Sequence, residues 1–425
     1  MAECWFGNVP EGWRITRAKN VFTQRMTKGN EENLVLLAAT QKYGMIPQHE
    51  VDGVVQVKAD TDLSTFRTVK KNDFVISLRS FQGGFEISAY EGVCSPAYQV
   101  FYATQPIYHG YYRYFFKSDV FIQEMNSLTV GIREGKNIQY SFFATTEIPV
   151  PPIQEQEAIA AYLDEQCTLI DEAVAEAKAS VEELQIWRTS IITKAVTSGV
   201  GKKANVKDSG VLWIGKIPSE WSVVKAARII RSTQNGITRR DLEKSQGTIV
   251  LKLKNITPEG NIIYDDANRI DLSPSELESY KLIPNDILFV RVNGSRTLVG
   301  KCALFCGAPE DIAYNDHIIR VRLDNHMCLT EYFKWYMLSD SGKREIELHT
   351  STAAGQYTIS GIGLRNIVLT LPSISEQHQI CNYLHEKMEE VERLASEKKA
   401  LISDLESYKR SLIYETVTGK RKVVQ

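Results

Sequence analysis

The amino-acid sequence repeats itself after about 220 residues, and this duplication constrains the fold more than any other feature of the chain. The clearest repeat starts at Glu155 and at Glu376, and the two copies align without a gap over 44 positions, of which 14 are identical. Chance would give about two or three identities at ordinary residue frequencies. Shorter repeats precede it, namely Pro10-Glu-Gly-Trp13 with Pro218-Ser-Glu-Trp221, and Asn72-Asp73 with Asn285-Asp286. A period this long exceeds that of solenoid proteins, so we predict duplication of a whole domain together with a helix.

The first part of each copy has about 150 residues and is rich in β-branched and aromatic residues, with Gly, Asn and Asp between the apolar runs. This pattern predicts short strands separated by turns. The runs that carry this prediction are 74–78, 98–102, 287–292 and 317–323. Apolar spacing predicts shorter helices near 110–126 and 329–348. Each copy should therefore begin with a mixed α/β domain.

The second part of each copy is predicted to be one long helix. Apolar residues recur alternately three and four residues apart, interrupted by Arg188 in the first copy and by Lys398 and Lys409 in the second. This is the spacing of a coiled-coil seam. The seam residues are Leu163, Ile170, Val181, Leu184, Leu384, Val391, Ile402 and Leu405. We predict that the two helices pair with each other in antiparallel orientation, and the alternative is that each helix packs on its own domain.

These patterns together predict an α+β fold class. Two similar mixed α/β domains would be joined by two long antiparallel coiled-coil helices, and the whole would carry an internal pseudo-two-fold repeat. The predicted segments are a first domain at 1–152, a first helix at 153–198, a basic linker at 199–216, a second domain at 217–373, a second helix at 374–419 and a tail at 420–425.

Charge is divided unequally along the chain. Residues 154–187 hold nine acidic residues and one basic residue, whereas residues 199–240 hold nine basic and two acidic residues. The first helix is therefore a poor surface for phosphates, while the basic segment suits a polyanion. A solvated linker with scattered surface lysines is the alternative interpretation. Because the net charge is only −2, a nucleic-acid hypothesis must rest on where the charge lies.

The sequence offers no sign of a membrane or secretory protein. It has no run of 18 apolar residues, and its first residues lack the basic stretch and apolar core of a signal peptide. The seven cysteines are an odd number scattered along the chain, which is typical of reduced thiols in the cytosol. We therefore expect a cytoplasmic protein with no membrane partner.

Several partial matches to catalytic or metal-binding motifs fail on inspection. The segment Gly210-Val-Leu-Trp-Ile-Gly215-Lys216 has phosphate-loop spacing, but Ile217 stands where a Ser or Thr would hold Mg²⁺. Two further sets have the right residue types: Asp119 with Glu134 and Lys136 for a nuclease-like group, and Cys302, Cys306, His317, His326 and Cys328 for zinc ligands. The second copy lacks the first set, and the spacing of the other fits no standard zinc finger. Adenine-methyltransferase and catalytic-triad patterns are also missing. We therefore expect neither catalytic residues nor a metal or cofactor in this chain.

Polar, glycine-containing loops occur at matching places in both copies. They lie at 78–84 and 291–296 after a strand, and at 131–137 and 352–358 before the last strand. In the major groove, Arg pairs with guanine and Asn or Gln with adenine, while glycine lets the backbone approach. Each loop alone is also compatible with an ordinary turn. The candidate DNA-binding residues are Arg79, Ser80, Phe81, Gln82, Arg133, Lys136, Asn137, Arg239, Arg240, Arg291, Asn293, Ser295, Arg296, Gln356 and Tyr357.

The repeated elements, in this order, resemble the specificity subunits of type I restriction-modification systems. The resemblance covers essentially the whole chain and rests on the Pro-x-x-Trp and Asn-Asp repeats. It rests most on segment 148–164 and its second copy, 371–384. The second copy departs from the first at Ser373, where the first has a second proline, and at His385, where the first has Asp164.

The resemblance implies two target-recognition domains, each reading one half of a split, asymmetric site in double-stranded DNA. It implies that the helices set the distance between the halves and dock two modification subunits, which bind S-adenosylmethionine and methylate adenine at N6. Two restriction subunits, using ATP and Mg²⁺, would join in systems that cleave DNA. The chain itself would be noncatalytic. Lys202, Lys203, Arg239 and Arg240 would contact phosphates.

Two other functions compete with this one. A duplicated coiled-coil scaffold that binds proteins and never reads DNA would show the same repeat and the same helices. An enzyme that recognises and methylates DNA alone is disfavoured by the missing catalytic motifs.

Overall fold

The computed structural model of the chain divides into two compact units. Unit 1 comprises Met1–Lys178 and Lys399–Gln425, and unit 2 comprises Ala179–Lys398. The structure describes residues 4–29, 35–40, 43–51, 63–77, 84–128, 138–201, 205–238, 247–265, 267–353 and 355–423.

Unit 1 begins with a domain of short strands and helices. Its strands are β1 (Arg14–Arg17), β2 (Phe22–Gln24), β3 (Leu37–Thr40), β4 (Gly44–Pro47), β5 (Arg67–Val69), β6 (Phe74–Ile76), β7 (Phe85–Ile87), β8 (Gly92–Cys94), β9 (Gln99–Ala103) and β10 (Glu147–Val150). Its helices are α1 (His109–Phe115), α2 (Asp119–Ser127) and α3 (Tyr140–Thr145), followed by the long helix α4 (Ile153–Ser198). An antiparallel sheet of order β2-β9-β6-β7 forms the centre, while β1 pairs with β10, β3 with β4 and β5 with β8.

Aromatic side chains form the core of this domain. Phe74 and Phe101 are directly opposite each other on β6 and β9, and their rings stack with centroids 5.4 Å apart. Phe22 from β2 meets Phe101 edge-to-face at 5.4 Å, and Phe116, just after α1, meets Phe74 edge-to-face at 5.2 Å. Such pairs stabilise a fold beyond their buried area. The aromatic runs that predicted strands therefore also hold the helices on the sheet.

A carboxyl group also lies in this core. Glu86 on β7 is 3% exposed, and its Oε1 lies 2.5 Å from Nζ of Lys117. Burial raises the pKa of Glu86 to about 7, although the charge of Lys117 opposes the shift. Because this pKa is raised by folding, the stability it contributes is complete below about pH 4.5 and is lost as the pH rises through about 7.

We expect Glu86→Gln to be progressively more stable than the wild type as the pH rises from 5 to 8, because glutamine never bears the buried charge. The pKa shift corresponds to roughly 3 kcal/mol at most. Melting temperatures of both proteins at pH 5 and pH 8 measure the effect, with the exposed Glu91→Gln as a control. A melting-temperature difference that does not vary with pH contradicts it.

Unit 2 contains a second domain built on the same plan. Its strands are β11 (Val206–Asp208), β12 (Lys216–Pro218), β13 (Ser222–Lys225), β14 (Ile230–Asn235), β15 (Thr248–Leu251), β16 (Asn268–Ile270), β17 (Asp286–Val290), β18 (Val292–Asn293), β19 (Cys302–Phe305), β20 (Ile312–Tyr314), β21 (Ile318–Leu323), β22 (Ser351–Ala353), β23 (Gln356–Thr358) and β24 (Val368–Leu371). Its helices are α5 (Pro274–Tyr280), α6 (Thr330–Leu338), α7 (Asp340–His349) and α8 (Gly361–Asn366), followed by the long helix α9 (Ile374–Val417).

The sheets of unit 2 repeat the topology of unit 1. The order β14-β21-β17-β19 corresponds to β2-β9-β6-β7, and the pair β13-β24 corresponds to β1-β10. Unit 2 adds a mixed sheet of order β16-β15-β20, a small sheet of order β18-β23-β22 and the hairpin β11-β12. The repeat in the sequence is thus a repeat of chain topology.

Each shorter predicted helical region is divided into two helices. Segment 110–126 is split into α1 and α2 near Ser118, and segment 329–348 is split into α6 and α7 at Ser339. Ser339 is fully buried, and its Oγ accepts a hydrogen bond from the backbone N–H of Gly342 at 3.1 Å. A serine that caps a new helix in this way ends the preceding one. Apolar spacing alone does not reveal the break.

The two long helices run antiparallel within unit 1. Nζ of Lys409 on α9 lies 2.6 Å from Oδ2 of Asp171 on α4, and Nζ of Lys178 lies 3.2 Å from Oε1 of Glu406. The residue numbers rise on one helix as they fall on the other. The antiparallel pairing predicted from the seam is therefore found in this unit.

The same orientation occurs within unit 2. The charge of Glu392 acts on Arg188, while Tyr383 lines a surface pocket with Ala195 and Gly199. Of the predicted seam residues, Leu163, Ile170, Leu384 and Val391 are buried, and Val181, Leu184, Ile402 and Leu405 are half-buried. Helix α9 ends at Val417 rather than at residue 419 because Gly419 adopts a left-handed conformation, with φ +75°. In the part of the chain that the structure describes, no helix has the length and apolar character needed to cross a membrane.

Candidate nucleic-acid interface and helix junctions

Two loops predicted to bind DNA meet in one small sheet of unit 2. Strand β18 carries Asn293 and pairs with β23, which carries Tyr357 and pairs in turn with β22. Asn293, Tyr357 and Thr352 are directly opposite one another across the three strands. Because cross-strand partners share one face of a sheet, these polar side chains form a row.

The turns beside this sheet present further polar groups. Gly355 adopts φ +75° between β22 and β23, which places Gln356 in an exposed position. The side chain of Asn293 accepts a hydrogen bond from the N–H of Ser295 at 2.9 Å and so shapes the turn before Arg296. Ser295 and Arg296 are both exposed. Amide and guanidinium groups displayed together in this way are suited to hydrogen bonding with base edges.

Arg291 occupies a more structural position than its neighbours. Its backbone N–H donates to the carbonyl of His317 at 2.7 Å, and its Nη1 donates to the carbonyl of Asp316 at 3.1 Å. Its own carbonyl accepts from the N–H of Ile359 at 2.9 Å. Arg291 therefore joins three segments at the base of the β18-β23-β22 sheet.

The remaining candidates lie outside the described residues. These are Arg79, Ser80, Phe81, Gln82, Arg133, Lys136, Asn137, Arg239 and Arg240, together with Lys202 and Lys203 of the basic linker. Their assignment to DNA binding stays a prediction.

The cysteines that could have been zinc ligands differ in how deeply they are buried. Cys302 is buried in the core of unit 2, and burial raises its pKa to about 12, whereas Cys306 is exposed. Among the side chains that the structure describes, no group of three or more His, Cys, Asp or Glu is arranged to hold a metal ion.

The repeated Asn-Asp pair forms the same ion-paired turn in both units. Asn72 and Asn285 have φ of 69° and 75°, a left-handed conformation that asparagine tolerates better than most residues. The following Asp286 is 1% exposed and binds Arg322 through both carboxylate oxygens, at 2.6 and 3.1 Å.

The carboxylate in each turn also fixes the backbone. Asp286 accepts a hydrogen bond from the N–H of Ile283 at 2.9 Å, and Asp73 accepts one from the N–H of Lys70 at 2.8 Å. In unit 1 the partner arginine is Arg25, whose Nε lies 2.6 Å from Asp73. The hydrogen bonds to the carboxylate raise the pKa of both Arg25 and Arg322. Sequence analysis found the repeated acids but not their arginine partners, because those arginines are not themselves part of a repeated motif.

The other repeated motifs meet where each long helix begins. In unit 1, the indole N–H of Trp13 donates to Glu155 at 2.7 Å. The fully buried Gln156 accepts from the N–H of Tyr108 and donates to the carbonyl of Pro151, both at 2.8 Å. The start of α4 is thereby fixed to the domain that precedes it.

Unit 2 repeats this junction with the matching residues. The indole N–H of Trp221 donates to Glu376 at 3.1 Å. Gln377 accepts from the N–H of Leu329 at 2.8 Å and donates to the carbonyl of Pro372 at 3.0 Å. The motif residues that carry the family resemblance are therefore structural residues at helix junctions.

Each junction also holds the end of the other long helix. In unit 1, the hydroxyl of Tyr111 donates to the carbonyl of Val417 on α9 at 2.7 Å. In unit 2, the hydroxyl of Tyr332 lies 3.4 Å from the carbonyl of Val196 on α4, and Thr370 donates to the same carbonyl at 2.6 Å. The two tyrosine contacts are equivalent, because Tyr332 lies 221 positions after Tyr111 and Val417 lies 221 positions after Val196. Every unit thus combines the start of one helix with the end of the other.

Two exposed aromatic residues occupy equivalent positions on the long helices. Trp187 on α4 is 43% exposed and Tyr408 on α9 is 47% exposed, and they are 221 residues apart. Trp187 lies beside the exposed Ile186 and lines a surface pocket with Tyr383 and Lys387. Exposed aromatic residues of this kind are enriched in protein–protein interfaces.

Comparison with known proteins agrees with this architecture. Residues 10–183 match the family described as the type I restriction modification DNA specificity domain. The resemblance to the specificity subunits of type I restriction-modification systems, predicted from the sequence, is therefore confirmed.

The similarity extends over nearly the whole chain. The chain is 25% identical to the type I restriction enzyme EcoKI specificity subunit of Escherichia coli strain K12, over 97% of this chain and 90% of that one. A chain from a solved structure of the type I R-M system is similar in fold, with a TM-score of 0.74, 14% identity and coverage of 97% of this chain and 100% of that one. The crystal structure of the HsdS subunit from Thermoanaerobacter tengcongensis gives a TM-score of 0.54 at 16% identity, over 97% and 98% of the two chains. The predicted fold class is confirmed.

Proposed function

We propose that this chain is the noncatalytic, sequence-reading subunit of a type I restriction-modification complex. Each unit reads one half of a split, asymmetric site in double-stranded DNA. The observation that carries this function is one scaffold, built twice and similar over 97% of its length to a specificity subunit, whose recognition loops differ in residues between the copies. Phosphate contacts supply affinity and the loops supply discrimination.

The chemistry belongs to the partners in this proposal. Two adenine-N6 methyltransferase subunits dock on the long helices and bring S-adenosylmethionine, and restriction subunits, where present, bring ATP and Mg²⁺. The target adenine must leave the base stack to be methylated, so the subunit that fixes the DNA also fixes the position of the methyltransferase. The complex works in the cytoplasm, where the DNA is.

The surfaces around Trp187 and Tyr408 are the docking sites for the two methyltransferase subunits. The pseudo-repeat supports this choice, because one kind of partner needs two equivalent surfaces and these exposed aromatic residues occupy equivalent helix positions. Large aromatic side chains often carry most of the energy of an interface.

The proposed function is tested by methylome sequencing of cells that express the methyltransferase with and without this chain. A bipartite motif that is methylated only when the chain is present supports it. Duplex binding by the assembled complex should also weaken steeply with salt, because each neutralised phosphate adds about −0.9 to the logarithmic slope. A complex that binds partners but never DNA would identify a protein-binding scaffold instead.

Arg296→Ala tests the recognition surface of unit 2. Losing one bidentate base contact is expected to reduce discrimination at one half-site by about 1–3 kcal/mol and to leave the other half-site unchanged. The methylated motifs of the variant and the wild type report this directly. Arg344→Ala is the matched control, because Arg344 is exposed in the same unit and is paired with Glu347 at 3.0 Å. An unchanged motif in the Arg296 variant would remove this residue from the interface.

A further inference from the structure

Unit 2 contains a cavity that the proposed function does not use. Its volume is about 510 Å³, within the range of roughly 300–1,000 Å³ typical of small-molecule sites. Residues 185–189 of α4 line one side, and the segment 296–302 and helices α6 and α7 line the others. The cavity lies entirely within this unit.

A buried arginine reaches this cavity without an acidic partner. Arg188 is 7% exposed, and its Nη2 donates to the carbonyl of Glu259 at 2.8 Å, while its Nε has no hydrogen-bond partner. Among the described residues its guanidinium forms no ion pair, although the charges of Glu259 and Glu392 act on it from a greater distance. Burial lowers the pKa of Arg188, since desolvation disfavours the charged form. A buried cation left without an anion is costly to a fold.

The equivalent cation in unit 1 is fully paired. The residue 221 positions after Arg188 is Lys409, whose Nζ binds both carboxylate oxygens of Asp171 at 2.6 and 2.7 Å. The residue equivalent to Asp171 is Glu392, and it lies outside ion-pair distance of Arg188. One repeat therefore closes this pair across the helices, whereas in the other the equivalent arginine lines the cavity and forms no ion pair with a described residue.

More cationic than acidic side chains line the cavity. Lys301, Lys343 and the rim residue Arg296 line it together with Arg188, against two carboxylates, Glu259 and Glu347. Glu347 is already paired with Arg344 on the same helix. The lining therefore carries a net positive formal charge at neutral pH.

The remaining wall of the cavity is apolar. It includes Leu298, Val299, Met337, Leu338 and Ile346. Such a wall suits an organic group rather than a free inorganic ion. Guanidinium groups pair especially well with phosphate oxygens, through two parallel hydrogen bonds.

We propose that this cavity binds a small phosphate-bearing metabolite of mononucleotide size. Its phosphate lies against Arg188 and Lys301, and its organic part lies against the wall formed by Met337, Leu338 and Ile346. The site differs from the β18-β23-β22 sheet and from the proposed docking surfaces, although Arg296 also lines it.

The test uses the purified full-length chain and three probes, namely inorganic phosphate, AMP and uncharged adenosine. AMP should raise the melting temperature, and the increase should continue with the logarithm of its concentration above the Kd; phosphate should do so more weakly, and adenosine should have no effect. Calorimetric titration should give at least about tenfold weaker AMP binding for Arg188→Gln. Lys409→Gln is the matched control, because it removes the equivalent charge from unit 1 and should leave AMP affinity unchanged.

Three results would overturn the proposal. These are an absence of saturable binding of AMP or phosphate by the wild type, equal AMP affinity in Arg188→Gln, and an equal loss of affinity in Lys409→Gln. A separate titration with duplex DNA distinguishes the source of the phosphate. If Arg188→Gln weakens duplex binding while AMP does not bind, the cavity holds the DNA backbone and the metabolite proposal is wrong.

Discussion

Asp286→Ala should destabilise unit 2 by about 3 kcal/mol, because it leaves the charge of Arg322 unpaired and the N–H of Ile283 without its acceptor. For a unit of this size, that loss corresponds to a melting temperature lower by roughly 6–12 °C. Because a bipartite site is recognised only when both units bind it, methylation of the whole target should fall together with the stability of unit 2. Thermal melting and methylome sequencing measure the two effects.

Two variants make this expectation specific. Asp286→Asn keeps an oxygen for the backbone N–H but loses the charge, so its destabilisation should be smaller. Asp73→Ala removes the equivalent carboxylate from unit 1, where it pairs with Arg25, and should lower the stability of that unit instead. Hydrogen exchange assigns each loss to its unit, and an effect of Asp286→Ala spread equally over both units would contradict this interpretation.

Replacing the exposed aromatic residues of the long helices should remove the methyltransferase subunits one at a time. Trp187→Asp and Tyr408→Asp each place a charge at the centre of one proposed interface, and a residue of this kind commonly contributes 2 kcal/mol or more, which is about 30-fold or more in affinity. Each single variant should bind one methyltransferase subunit, and the double variant should bind none. Native mass spectrometry of the assembled complexes counts them.

Another exposed position on α4 supplies the control. Leu169 on α4 is also exposed, at 54%, but its equivalent on α9 is Glu390. If one partner binds two equivalent surfaces, an acid is already tolerated at this position, so Leu169→Asp should leave the stoichiometry unchanged. Full binding by the double variant would show that the partners dock elsewhere.

The fold was largely predictable because the sequence contains two copies of the same unit. Two segments with the same order of motifs and the same heptad spacing indicate two similar domains and two helices. Pairing of the two helices was predicted because each has a narrow apolar seam, which includes Leu163 on one helix and Leu384 on the other, and such a seam suits another helix. The breaks at Ser118 and Ser339 were missed, and at Ser339 the reason is a cap, whose hydrogen bond to a backbone N–H is not reported by apolar spacing.

The site was less predictable than the fold. The loop residues Asn293 and Tyr357 lie 64 positions apart, and only strand pairing shows that they share one face. The arginines that pair with Asp73 and Asp286 come from unmatched parts of the two copies. The cavity beside Arg188 was missed for a further reason. The sequence shows that residue only as an interruption of the seam. Side-chain geometry is needed to show that it forms no ion pair among the described residues, whereas Lys409 pairs with Asp171.

The two helix-end glycines bear on how genes of this kind are arranged. Gly199 lies against Trp221, and Gly419 lies against Pro10 and Trp13, so that a Cβ at Gly419 would come within 2.3 Å of the proline ring. The residue that follows the end of α9 thus packs against the start of the first copy. In the same way, the residue that follows the end of α4 packs against the start of the second copy. A circularly permuted gene with the second copy first, and a short linker from the tail to Pro10, should encode the same two closures. The order of the two copies in the gene is then not required for either of these contacts.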